Sequence, residues 1–224
     1  MAEEPTTGDS TTGDSTTGNS TAGADRPRAG LRPAQRARYD RIIASAKELA
    51  AEGGYDAVQM RAVAERSGVA LGTVYRYFPS KNQLLVVAML QMFEQFDAQF
   101  DVEYATGSSP RERVMWVLHG AFAQLEREHQ LYDALVRAAM FADASSAAEL
   151  DRLGQVITGM YARAAGVETI TEELLNAVRI ITDVWMSNLV SWAAGRATAE
   201  DVIAHMDTAV GLVFSRIDRL SHDR

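Results

Sequence analysis

The sequence contains no cysteine, which excludes disulfides, zinc fingers and thiol catalysis and fits a reducing cytosol. No basic-then-apolar leader opens the chain, so no secretory signal is expected and the expected location is cytoplasmic. Long apolar runs are missing too. Asp183, Ser187 and Asn188 interrupt the best candidate for a membrane span, so no membrane partner is expected. His119, His129, His205 and His222 lack metal-ligand spacing. Neither a glycine-rich phosphate loop nor a nucleophile elbow is present. The acidic pairs Glu172-Glu173 and Glu200-Asp201 fall at helix starts, where they favour the helix dipole. No metal or cofactor is expected and nothing supports an enzyme, a helical lipid-binding carrier or enzyme being the alternative reading.

What remains is helix-forming. Proline is scarce beyond the N-terminal region while Ala, Leu, Glu and Arg are common, which predicts an all-α fold of about nine helices. The formal charge of −8 argues against a nucleic-acid partner until it is divided along the chain. Residues 26–81 carry a net +6, residues 82–224 a net −9, and residues 1–25 a net −5. A basic head on an acidic body is the electrostatic footprint of a DNA binder. Three units are expected: 1–33, a low-complexity tail and basic arm; 34–81, a helix-turn-helix head; and 82–224, a body for ligand binding and dimerisation.

Residues 6–25 repeat a pentad, TTGDS-TTGDS-TTGNS-TAGAD. With no large apolar side chain it cannot offset the entropy of ordering, so disorder is predicted. Arg26, Arg28, Arg32, Arg36 and Arg38 lead into the first helix, about Ala34–Glu52. Such an arm can follow a phosphate backbone or enter a minor groove; a solvated basic linker would look the same at Arg26 and Arg28.

The stretch Tyr55–Leu85 reads as two short helices about a tight turn, then a longer helix. Gly68 suits a left-handed cap. Val74 and Phe78, four residues apart, give the next helix one buried stripe, while Leu71, Gly72, Thr73, Tyr75, Arg76 and Tyr77 occupy its other faces. So short a helix is unstable alone. Pinned by a neighbour, it has the form of a DNA-reading helix; on spacing alone, a solvated face of an ordinary bundle fits equally well.

The wording of the stretch adds to its spacing. GVALGTVYRYFPSKNQLL, with its run Tyr75…Tyr77-Phe78…Ser80-Lys81…Leu84, resembles the signature of the TetR family of bacterial repressors. Ile42…Ala46…Gly53-Tyr55…Val58…Val63-Ala64 resembles that family's first two helices. The resemblance implies a homodimer whose heads read a palindromic double-stranded DNA operator. Arg36, Arg38, Gln59, Arg61, Leu71, Gly72, Thr73, Tyr75, Arg76, Tyr77 and Lys81 are the expected DNA contacts. Leu71 departs from the pattern, since many relatives place a polar base-reading residue there.

Beyond the head, Ser80 is the expected cap of a fourth helix, and Ser109-Pro110-Arg111-Glu112 reads as a capping box. The helices expected at about Thr171–Ala194 and Thr198–Leu220 are apolar on most sides, which predicts burial on two faces. A second copy of the pair is the economical cover, giving a homodimer through the last two helices. Met89, Met92, Phe93, Phe96, Met115, Trp116, Phe122, Met140, Phe141, Met160, Trp185, Leu189 and Trp192, with His119 and Asn188 as polar anchors, are candidates for a pocket. Arg137 and Asp183 are further candidate anchors. An ordinary packed core produces the same stripe. Phe141-Ala142-Asp143-Ala144-Ser145 and Ile181-Thr182-Asp183-Val184-Trp185…Ser187-Asn188-Leu189 resemble KstR-type regulators of steroid catabolism in actinobacteria. That resemblance implies a bulky hydrophobic effector, a steroid acid or its CoA thioester.

Overall fold

A computed structural model describes residues 30–99 and 107–222, with side chains to Arg216. The pentad repeat, Arg26 and Arg28 lie outside what is described. Among the described residues there are helices and no strands: α1 (Pro33–Ala57), α2 (Met60–Ser67), α3 (Leu71–Tyr77), α4 (Lys81–Gln99), α5 (Pro110–Arg127), α6 (His129–Met140), α7 (Ala147–Ala165), α8 (Glu172–Ala193) and α9 (Ala199–His222). A 3-10 turn, Ala144–Ser146, links α6 to α7.

Local chemistry sets most of these ends. Gly53 and Gly54 leave helical geometry, Gly54 at φ 66°, and break α1 one turn after Leu49. Gly68 closes α2 at φ 65° and Gly166 closes α7 at φ 74°, both in the left-handed region that Cβ penalises. The Gln83 amide donates to Ser80 Oγ at 3.1 Å, capping α4. At α5 the expected capping box is present, with Ser109 Oγ accepting from the Glu112 amide at 3.2 Å and Glu112 accepting from the Ser109 amide at 3.1 Å. Ser146 precedes α7 without capping it through its side chain. Asp143 does the capping one turn earlier, accepting from the Ser145 amide.

Two apolar cores result. The first gathers Ile42, Ile43, Ala46, Val58, Val63, Val74 and Phe78 from α1–α3 with Leu84, Leu85 and Ala88 of α4. It also takes in Leu131, Ala134, Leu135 and Ala138 of α6. The head's interior therefore continues across residue 81 and is completed by a helix from the body. Sequence spacing gave no sign of this, because an apolar stripe does not name its partner.

The second core joins α5, α7, α8 and α9 through Val117, Leu118, Phe122, Val156, Met160, Val178, Ile181, Val202, Met206 and Val210. Arg113 staples α5 to the end of α7. Its Nε donates to the Ala164 carbonyl at 2.6 Å and its guanidinium to the Ala165 carbonyl at 3.1 Å, where the helix leaves acceptors unpaired. Ion pairs Glu94–Arg152 and Asp97–Arg163 tie the outer length of α4 to α7.

The Ser108 hydroxyl, with the Ser108 and Ser109 amides, holds the Glu112 carboxyl below its usual 4.5. A depressed folded value means the stabilisation is present above 4.5 and lost as pH falls through the lower folded value. Glu112→Ala should melt below wild type at neutral pH, with the gap closing under acid; a pH-independent gap in thermal melts would reject this role. Ser109→Ala should lower stability by about 1 kcal/mol in denaturant titration.

Candidate nucleic-acid interface and the body behind it

Seven residues make α3, and a helix that short has a nucleation penalty of about 4 kcal/mol. Val74 is fully buried and Phe78 is 1% exposed, and burying two such side chains returns about 1.5–3 kcal/mol each. The helix thus exists because of the core beneath it. Tyr39 of α1 secures its end, with ring centroids 4.9 Å from Phe78 and 5.9 Å, edge-on, from Tyr77.

The opposite face is free. Gly72, Tyr75 and Arg76 are exposed, Tyr75 at 48%. Apart from its own turn of helix, no described atom lies within 4 Å of where a Cβ at Gly72 would stand, so packing does not require glycine there. Arg36 and Arg38 on α1, Gln59 at the N-cap of α2 and Arg61 in its first turn are exposed as well. Thr73 is half-buried. Leu71 and Tyr77 are partly packed on the head core, and the Arg76 guanidinium lies 6.0 Å from the Tyr77 ring.

Lys81 departs from the expectation of a free phosphate contact. It is half-buried, its Nζ donating to the Tyr55 carbonyl at 3.3 Å and standing 3.6 Å from the Tyr55 ring centroid. The cause is the glycine break in α1, which turns Tyr55 back toward the start of α4. Tyr55 and Asn82 were not among the expected site residues. A tyrosine directly after a Gly-Gly break was the only signal available.

The body does not bring the expected pocket residues into one place. Met115, Phe122, Met160 and Leu189 are buried in the second core, with Phe93, Trp116, Trp185 and Trp192 packed at its edge. Phe122 meets Trp185 and Trp192 edge-on at 6.0 and 5.4 Å, and His129 lies 4.6 Å from Trp192. Met89 and Met92 pack instead on the head core. Phe96, Met140 and Phe141 are exposed at 42%, 50% and 66%. Met140 and Phe141 close α6, where no described helix covers them. His119 is exposed.

Two of the expected polar anchors, Asn188 and Arg137, have protein partners. Asn188 donates to the Val184 carbonyl at 2.8 Å and its Oδ1 lies 3.0 Å from His205 Nδ1, so it links α8 to α9. Arg137 lies over Tyr55, with its Cζ 4.9 Å from the ring centroid. Asp183 is exposed. Burial pushes the Tyr132 phenol up to about 12, with the Glu128 charge adding to it, and burial raises Tyr161 further. Both stay protonated at neutral pH. Two clear concavities are open clefts beside α9. One, of about 530 Å³, is lined by Ser109, Pro110, Arg111, Thr208, Gly211 and Phe214 among others. The other, of about 260 Å³, includes Met115, Trp116 and His119. No described group of three or more His, Asp or Glu could hold a metal ion, and no described helix is long and apolar enough to cross a membrane.

Comparison with known proteins agrees with this reading of the head. Residues 42–88 match the family described as bacterial regulatory proteins, tetR family. Residues 107–213 match the tetracyclin repressor-like C-terminal domain. The HTH-type transcriptional repressor KstR of Mycolicibacterium smegmatis is 45% identical over 180 residues, covering 80% of this chain and 88% of that protein. A TetR transcriptional regulator from Rhodococcus sp. RHA1, known from its crystal structure, is 34% identical with a TM-score of 0.74, covering 80% of this chain and 97% of that one. FadR of Thermus thermophilus, crystallised with lauroyl-CoA, shares the fold at 21% identity and a TM-score of 0.62, over 79% of this chain and 93% of that one. These families and relatives are transcriptional regulators, not enzymes. The chain belongs to the TetR family of bacterial transcriptional regulators.

Proposed function

We propose that the protein is a repressor that binds a palindromic operator as a homodimer and is released by a bulky hydrophobic effector. The observation that carries the DNA-binding reading is the free face of α3, with Tyr75, Arg76 and Gly72 exposed over a buried Val74 and Phe78. Arg76 and Tyr75 supply base and phosphate contacts, and Gly72 lets backbone approach the groove. Arg36, Arg38, Gln59 and Arg61 hold the flanking phosphates. Thr73, Leu71 and Tyr77 line the margin of this face, Leu71 offering an apolar contact to a thymine methyl.

Dimerisation is supported by what α8 and α9 leave uncovered. Leu175, Ile180 and Leu212 are 48%, 52% and 69% exposed, on the two helices whose inner faces form the second core. A second copy covers them most economically, and its two-fold axis would set the two α3 helices on successive turns of DNA.

For the effector, a steroid or acyl-CoA thioester is the class we favour. Support comes from the sulfur- and aromatic-rich second core, from similarity to KstR and from a fold shared with a FadR that binds lauroyl-CoA. Met115, Trp116, Phe122, Met160, Trp185, Leu189 and Trp192 would line the opened site, with Phe93 at its edge. Such a ligand must prefer the DNA-incompetent arrangement to act at all. A regulator that answers to no small molecule is the second reading, favoured by the closely packed interior around Phe122.

A gel shift on the promoter of the protein's own gene, with and without steroid-acid CoA thioesters or lauroyl-CoA, separates these readings. Release by any of them supports the first; retained DNA binding with every ligand supports the second. Arg76→Ala should weaken operator binding by about 1–3 kcal/mol while sedimentation still reports a dimer. Unchanged affinity would count against the α3 assignment. Raising salt from 50 to 200 mM should weaken binding by roughly 10³-fold or more if six or more phosphates are held. Arg substituted for both Ile180 and Leu212 should yield monomers in sedimentation, and a persisting dimer would place the interface elsewhere.

A further inference from the structure

The first turn of α4 touches the head and the body with consecutive residues. Lys81 Nζ donates to the Tyr55 carbonyl. At Asn82, Oδ1 accepts from the Tyr55 hydroxyl at 2.5 Å and Nδ2 donates to the Phe141 carbonyl at 3.0 Å. Gln83 Nε2 donates to the Ser145 carbonyl at 3.1 Å. Tyr55 itself lies under two cations, Lys81 from α4 and Arg137 from α6. One ring and one amide thus connect the end of α1, the start of α4 and the corner between α6 and α7.

That corner is also incompletely satisfied. Gln83 and Ser146 are 3% and 1% exposed, yet Gln83 Oε1 and Ser146 Oγ have no hydrogen-bonding partner among the described residues. Buried polar atoms without partners raise the energy of the arrangement that leaves them so. A second arrangement of the corner can therefore compete closely with this one. A chain of short, directional hydrogen bonds is the kind of contact that transmits a choice between two arrangements.

We propose that Tyr55 and Asn82 are positioning residues that couple the DNA face to the α6–α7 corner, acting in series through Tyr55 Oη, Asn82 and the Phe141 carbonyl. Lys81, held on the Tyr55 carbonyl and over its ring, moves with this link. When the corner shifts, Asn82 loses the Phe141 carbonyl, Tyr55 is freed, and Lys81 and the end of α1 move with it. The inference rests on the operator-binding reading above and adds the residues through which body and head communicate.

Because coupling between two sites is reciprocal, DNA can serve as the probe in place of the unidentified effector. Hydrogen–deuterium exchange of the full-length protein is followed at residues 139–147, with and without its own promoter fragment. Wild type should show exchange slowed by about fivefold or more on DNA binding. Tyr55→Phe and Asn82→Ala should each abolish that slowing while gel shifts keep operator affinity close to wild type. The double variant should behave as either single one, since a link in series breaks once. A corner unaffected by DNA in wild type, full slowing in either variant, or additive stability losses for the pair in denaturant titration would each overturn the proposal. Wild type that fails to shift the promoter would instead overturn the operator-binding reading and this inference with it, and the gel shift reports that separately. Should Asn82→Ala not fold, Tyr55→Phe alone decides, because it keeps the ring for Lys81 and Arg137 and removes one hydroxyl.

Discussion

Everything the head does depends on the burial of Val74 and Phe78. A seven-residue helix has no independent stability, so its orientation is the orientation of the core that receives those two side chains. The receiving core is built by α1 and α2, stiffened by Tyr39 against Phe78 and Tyr77, and closed from behind by α4 and α6. With both inward positions committed, the outward ones carry no packing duty. That separation lets Tyr75, Arg76 and Gly72 be chosen for a partner instead of for the fold.

The same constraint ties the body mechanically to α3. Ala134, Leu135 and Ala138 of α6 lie in the head's own core, so α6 cannot move without either dragging α1 or opening a void beside it. Voids in a packed interior cost about 24 cal/mol per Å³, so coordinated movement is the cheaper response. Packing alone transmits displacement in any direction. Directional hydrogen bonds at the start of α4 restrict which displacement is passed on.

Local signals were readily legible in the amino-acid sequence. Gly53-Gly54, Gly68 and Gly166 mark helix ends because backbone geometry there is a one-residue property. Ser80 and the Ser109…Glu112 box mark helix starts because capping spans only three or four residues. The exposed face of α3 followed from the two-residue stripe Val74 and Phe78. What stayed hidden depends on long-range pairing. That α6 completes the head's core, that Lys81 turns inward to Tyr55, and that Asn82 bridges residues 27 and 59 positions away are facts about which surfaces meet. How the Met and aromatic residues divide among the cores was illegible for the same reason. Their spacing fixed a buried stripe on each helix, but Met89 and Met92 face the first core, Met160 and Phe122 the second, and Met140 and Phe141 the outside.

That distribution bears on how an effector could enter. Phe122, Trp185 and Trp192 are held edge to face, a geometry that fills space with flat plates and can be re-stacked without breaking covalent or ionic contacts. Asn188, braced on its own helix by the Val184 carbonyl, joins α8 to α9 through the His205 imidazole. A flat, apolar ligand can therefore replace ring–ring contacts with ring–ligand contacts at little loss of dispersion energy. The volume it adds must come from helix separation, and α5 and α7 already border α4 and α6. Accommodation in the second core thus presses on the helices that complete the first, which is the physical route by which a hydrophobic effector would reach α3.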